Sequence, residues 1–172
     1  PAFGWEPEKW SQICVMPRNG SANDSKWIEA DPTFVFHYMN SYEENGSIIC
    51  DCMEFGLPPL FPYADGTMPK QSEAEAKHAR WEIDIKNSKL IKTSLDNITG
   101  EFPRFDERFA LRKYTHGYYA GSIGNHPKGM SLNSIIHYDY NTGERKSYTT
   151  AEGGAVGAVS YTHLTLPTNH PV

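Results

Sequence analysis

The chain has 172 residues, 38% of them apolar, and a formal net charge of −5 at neutral pH. That length suits one domain of ordinary size, and the composition excludes a wholly disordered chain. The mild acidity argues against a nucleic-acid partner, and no apolar run nears the ~18 residues of a membrane-spanning helix.

The chain opens on Pro1 without a charged-then-apolar leader, so no signal peptide is expected and the front is expected to be cut. Three cysteines cannot close a paired disulfide framework, and a reducing, cytoplasmic setting is expected. Lys26 to Asp31 alternates around Trp27 and predicts a short strand. Thr33 to Tyr42 is rich in aromatic and β-branched residues. Asn45-Gly46 follows as a hairpin turn, and Ser47 to Phe55 returns. Period-two alternation puts Ile48, Cys50 and Cys52 on one face and Ile49, Asp51 and Met53 on the other.

Gly56 to Lys70 carries four prolines and predicts a long loop. Ser72 to His78 predicts one or two helical turns, with Ser72 as N-cap and Glu75 at the capping-box position. A second hairpin is predicted over Ala79 to Leu95, turning at Asn87-Ser88. A third is predicted over Ser134 to Thr150, turning at Asn141-Thr142-Gly143. Asp84 and Asp139 hold matching places in these hairpins, 55 residues apart. That is close to the ~40–50 residue repeat of propeller blades. The fold class expected is all-β, sharpened to part of a β-propeller.

The end of the chain reads differently. Val159 to Thr168, ValSerTyrThrHisLeuThrLeuProThr, resembles the translation of a transposase-type sequencing adapter. An index would fill Asn169 to Pro171, and the adapter would supply Val172 and a stop. Residues 158–172 are therefore expected to be a non-native tail, and residues 1–157 the protein proper.

Local spacing yields no metal motif among His37, His78, His116, His126 and His137. Cys50-Asp51-Cys52 reads as two small buried apolar side chains rather than a metal pair. No phosphate-cradling glycine loop is present. His37 stands mid-strand among large apolar residues. Taken alone it reads as a core histidine whose ring nitrogens need partners. Glu101 lies between Gly100 and Phe102-Pro103, and taken alone reads as a turn glutamate. Phe102, preceding a proline, is expected in extended conformation.

Both residues gain meaning from resemblance. Phe36-His37-Tyr-Met-Asn40-Ser-Tyr42-Glu43 resembles the iron-ligand strand of the carotenoid cleavage oxygenases, a family that includes the lignostilbene dioxygenases. Gly100-Glu101-Phe102-Pro103-Arg104 resembles that family's Glu-Phe-Pro-Arg motif, and Tyr114 to Gly121 the stretch after it. Trp5-Glu-Pro, Val15-Met-Pro-Arg18 and Pro59 to Gly66 are similar to its bacterial branch.

The resemblance implies a seven-bladed β-propeller, of which this chain would supply about three blades with a proline-rich loop insertion. It implies Fe(II) held on the axis by four histidines, His37 being one of them. Glu101 would be one of the glutamates that hydrogen-bond those imidazoles, fixing tautomer and orientation. Ala158 stands where the family has another such glutamate. The other three histidines would lie outside this chain, which by itself is expected to be inactive.

The parent would cleave a carbon–carbon double bond of a carotenoid, apocarotenoid or stilbene-like phenolic with O₂. Alternation places Phe34, Phe36 and Tyr38 on the strand face opposite His37. The apolar substrate wall is therefore expected from the proline-rich loop, at Leu57, Leu60 and Phe61. The alternative is a non-catalytic β-propeller binding module with His37 in its core. Substrate identity, oligomeric state and peripheral membrane contact are left open.

Overall fold

The computed structural model describes residues 3–124, 132–151 and 154–157. Nine strands follow in order: β1 (Ser11–Val15), β2 (Lys26–Ala30), β3 (Phe34–Glu44), β4 (Ser47–Phe55), β5 (Ala76–Asp84), β6 (Lys89–Phe105), β7 (His116–Gly121), β8 (Ser134–Asp139) and β9 (Arg145–Thr149). Strands β1 and β2 form an antiparallel pair, and β3 to β9 form one antiparallel meander. His126 and the tail from Ala158 onward lie outside the described residues. No helix among the described residues is long and apolar enough to cross a membrane.

The three predicted hairpins form, and their turns show why. Asn45 and Gly46 have φ of 52° and 84°, the two left-handed residues that a tight hairpin needs. Ser88 and Gly143 take the same region at the other two turns, with φ of 50° and 73°. The predicted helix does not form. Only Gln71–Glu73 makes a single 3-10 turn, and β5 begins at Ala76. The ladder explains this: Ala76 pairs with Phe55 and His78 with Met53, so tertiary pairing overrides a weak helical signal.

The 17-residue strand β6 organises the meander. Its first part pairs with β5 as far as Thr99, and its second part pairs with β7 from Gly100. The meander is thus two four-stranded units, β3–β6 and β6–β9, sharing one strand. Gly100 marks the handover, and no larger residue fits there. A Cβ at this position would lie 2.5 Å from Tyr119 Cδ2 and 2.6 Å from the Ala120 carbonyl oxygen. Successive four-stranded meanders with β1–β2 beside the first are the layout of adjacent propeller blades.

The units stack through β4 and its neighbours. Ile49, Met53 and Phe55 point one way, into a core with Met39, Tyr42, Tyr114, Tyr119 and Ile136. Cys50 and Cys52 point the other way, joining Ala79 and Trp81 and meeting Ile13 of β1. Both faces of the first unit are therefore buried, as the alternation of β4 requires. Each fully buried large apolar side chain contributes about 1.5–3 kcal/mol. All three cysteines are unpaired thiols.

A polar chain crosses the larger core. Asp51, fully buried, takes a bidentate contact from Arg80, Nε at 2.7 Å and Nη2 at 2.9 Å. Tyr114 donates to Asp51 at 2.7 Å, and its hydroxyl lies 2.8 Å from that of Tyr140, which reaches His78 Nε2 at 2.7 Å. Such a network is costly when broken, because Asp51, His78 and Tyr114 are buried.

The proline-rich loop is tied down. The Trp5 amide donates to the Pro62 carbonyl at 2.7 Å, and Tyr63 and Gly66 close a turn around Asp65.

Candidate metal-ligand site

His37 lies where β3 departs from regular pairing. Val35 pairs with Glu54, Tyr38 with Cys52 and Asn40 with Asp51, with register shifts on both sides of Tyr38. Such irregularities bend a strand and re-aim its side chains. Phe34 and Phe36 pack on Phe55, with ring centroids 6.3 and 5.5 Å away. Tyr38 packs on Trp81, across the sheet, at 6.0 Å. Strict alternation, which puts Phe34, Phe36 and Tyr38 on one face, therefore fails here.

Glu101 opens the second part of β6, where that strand is also irregular. Its register shifts between Glu101, paired with Ala120, and Arg104, paired with Tyr118. Phe102 sits in this bulge with φ of 58°, a left-handed conformation. The expected extended backbone before Pro103 is not found. A non-glycine residue held there stores roughly 1–3 kcal/mol, which the surrounding structure must offset. The Phe102 amide donates to Glu101 Oε2 at 2.5 Å, and this local bond accompanies the strained turn.

These two irregular segments meet. His37 Nδ1 lies 2.6 Å from Glu101 Oε2. The imidazole is 44% exposed and the carboxylate 3%. An ionised carboxylate can only accept, so Nδ1 carries the proton and donates. In the neutral ring that fixes Nε2 as the nitrogen with the free electron pair. A histidine whose Nδ1 is held by a buried carboxylate, with the other nitrogen open, is arranged as metal-binding histidines commonly are. The Phe102 ring, 5.4 Å from the imidazole, flanks it.

Glu101 Oε1 is buried and lacks a hydrogen-bond partner, as is Arg104 Nε nearby in sequence. The Glu101 carboxylate held against the imidazole through Oε2 favours a cation bound to that ring. His37 thus fits as one donor to a divalent metal. It is one donor only: among the described residues no group of three or more His, Cys, Asp or Glu converges on a common point.

Phe61, of the expected substrate wall, packs on Phe34 at 5.8 Å and Phe3 at 5.9 Å. Leu57 is half-buried, and Leu60 is 63% exposed at the loop tip. The sequence reading missed Phe102, whose position against His37 depends on the bulge. The Phe-Pro dipeptide beside Glu101 was the available signal, since it marks an irregular strand.

Comparison with known proteins gives the family of the chain. Residues 1–163 match the family model described as RPE65, retinal pigment epithelial membrane protein. The chain is 37% identical over 121 residues to an isoeugenol monooxygenase of Pseudomonas putida, covering 69% of this chain and 25% of the relative. It is 29% identical to a lignostilbene-alpha,beta-dioxygenase of Sphingomonas paucimobilis, covering 86% of this chain and 34% of the relative. The crystal structure of Pseudomonas brassicacearum lignostilbene dioxygenase superposes with a TM-score of 0.82 at 27% identity, over 90% of this chain and 35% of that one. Cobalt-substituted Synechocystis ACO superposes at 0.75 with 28% identity, covering 90% of this chain and 32% of that one. The chain therefore spans about a quarter to a third of the length of the relatives it matches. A family match along nearly the whole sequence, on a partial propeller whose strands bring His37 to Glu101, means that the chain belongs to the RPE65 and carotenoid cleavage oxygenase family.

Proposed function

We propose that the complete protein is a non-haem Fe(II) oxygenase that cleaves a C=C bond of an apolar or phenolic alkene with O₂. Each former alkene carbon takes one oxygen atom, giving two carbonyl products. The observation that carries this reading is the 2.6 Å contact between His37 Nδ1 and the buried Glu101 carboxylate. The names of the relatives, isoeugenol monooxygenase and lignostilbene and carotenoid oxygenases, support the alkene class.

Fe(II), when bound, would supply the redox chemistry that brings O₂ and the alkene together. The chain's own contribution is positional. His37 would offer Nε2, and Glu101 would hold the ring and its Nδ1 proton in place. Phe102 would restrict water beside the imidazole. The loop residues Leu57, Leu60 and Phe61 would contribute apolar wall. One imidazole does not hold iron tightly, so the chain of 172 residues alone would be inactive. We place the protein in the cytoplasm, where an apolar substrate could also be collected from a membrane surface.

The test is an assay of the complete protein, expressed from its full reading frame and loaded with Fe(II). It is given isoeugenol, a hydroxystilbene and an apocarotenoid. Carbonyl products with O₂ uptake from at least one substrate are expected. Substrate binding without product from any would favour a binding module instead.

A further inference from the structure

His37 and Glu101 stand on different four-stranded units. Strand β3 pairs with β4, and the second part of β6 pairs with β7. Along the first ladder β3 advances from residue 35 to 40 while β4 advances from 54 to 51, so β3 carries two extra residues around His37. Such a bulged stretch is not fixed by regular pairing, and its place is set where regular pairing resumes. That point is Asn40, opposite Asp51, and the register is unbroken from there to Glu44.

The Asn40 side chain is buried and turned to the other unit. Its Nδ2 donates to the Phe109 carbonyl at 3.2 Å and to the Arg112 carbonyl at 3.1 Å, and its Oδ1 accepts from the Leu111 amide at 3.2 Å. All three backbone groups lie in the connection from β6 to β7, where Leu111 is held at a φ of 62°. Two donations and one acceptance suit an amide. A carboxylate has no proton to donate and would face two carbonyl oxygens.

We propose that Asn40 is a positioning residue for His37. It locks the end of the bulged stretch to the unit that carries Glu101, and so sets the 2.6 Å approach of Nδ1 to the carboxylate. The other ties between the units lie farther from the imidazole. Tyr114 reaches Asp51 on β4, and Lys113 reaches Glu44 at the end of β3. Met39 takes only a weak bond from the Tyr140 hydroxyl, at 3.2 Å to a flexible thioether. The effect on metal binding rests on the proposed role of His37, whereas the effect on its tautomer does not.

The experiment reads that tautomer directly. The 172-residue chain is labelled with ¹⁵N-histidine and observed by NMR at alkaline pH, where imidazoles are neutral. The His37 signal is the one lost in His37→Gln. Wild type should show the proton on Nδ1 alone. Asn40→Ala and Asn40→Asp should show both tautomers, with circular dichroism unchanged. Tyr114→Phe cuts the neighbouring tie between the units and should keep the wild-type tautomer. In the complete protein, whose further blades also brace β3, Asn40→Ala should bind iron at least about tenfold more weakly against a chelator.

A His37 signal in folded Asn40→Ala that matches wild type would overturn the proposal. So would an equal change in Tyr114→Phe, or loss of the fold in both the chain and the complete protein, since either makes Asn40 a general brace. If iron in the complete protein is indifferent to His37→Ala, the ligand reading fails, and the tautomer still decides the role of Asn40.

Discussion

Gly100 lies against the ring of Tyr119, with room for hydrogen and none for a methyl group. The contact sits where β6 leaves β5 for β7, one residue before Glu101. The backbone of Glu101 is therefore set by how closely β6 and β7 approach at Gly100.

Gly100→Ala should push these strands apart. Forcing a methyl into a packed site costs typically 1–3 kcal/mol. Urea unfolding should show a lower midpoint, and the His37–Glu101 contact should lengthen. Unchanged stability would mean that the approach at Gly100 is not tight.

Stability should also depend on pH through His78. Its side chain is fully buried in β5, and burial lowers its pKa to about 4. The unfolded value is near 6.5, so below that pH the unfolded chain binds a proton that the folded chain refuses. Stability from this group is complete above about 6.5, falls as the pH drops, and levels off below about 4. The full difference is about 3 kcal/mol at 1.4 kcal/mol per unit. Urea midpoints between pH 7 and 5 should fall in wild type and flatten in His78→Gln.

The thiols should separate by reactivity. Cys14 is exposed, while burial pushes Cys50 up to about 12 and Cys52 higher still. Only thiolates react readily, so one equivalent should be labelled by a thiol reagent at neutral pH in the native chain. The remaining two should react only on unfolding. Rapid labelling of all three would contradict the burial of Cys50 and Cys52.

Glu101→Gln tests orientation apart from ligation. The amide can still accept from His37 Nδ1 but carries no charge. In the complete protein, iron affinity measured against a competing chelator should fall by about 10–100-fold. The fold should persist, since the amide is of the same size. Affinity equal to wild type would leave Glu101 without an orienting role.

Local signals made much of this fold legible. Asn45-Gly46, Asn87-Ser88 and Asn141-Thr142-Gly143 mark turns because their chemistry is local. Strands β1 and β7 carried no such punctuation and were not foreseen. The Ser72–His78 helix failed because pairing with β4 decides the fate of Ala76 to His78. The buried Asp51–Arg80–Tyr114–Tyr140–His78 chain was hidden for another reason. Its partners stand 26 to 63 residues apart, so no short spacing could reveal it. His37 and Glu101 became legible only through resemblance. Their contact spans 64 residues and depends on two bulges, one holding Phe102 at a positive φ that its place before a proline argues against.

The proposed role of His37 is that of a metal ligand. The most direct measurement is iron content per chain in the complete protein, purified as wild type and as His37→Ala under the same conditions. Near-stoichiometric iron is expected in wild type and almost none in the variant, with the fold kept by circular dichroism. A folded His37→Ala protein that retains its full iron would contradict it.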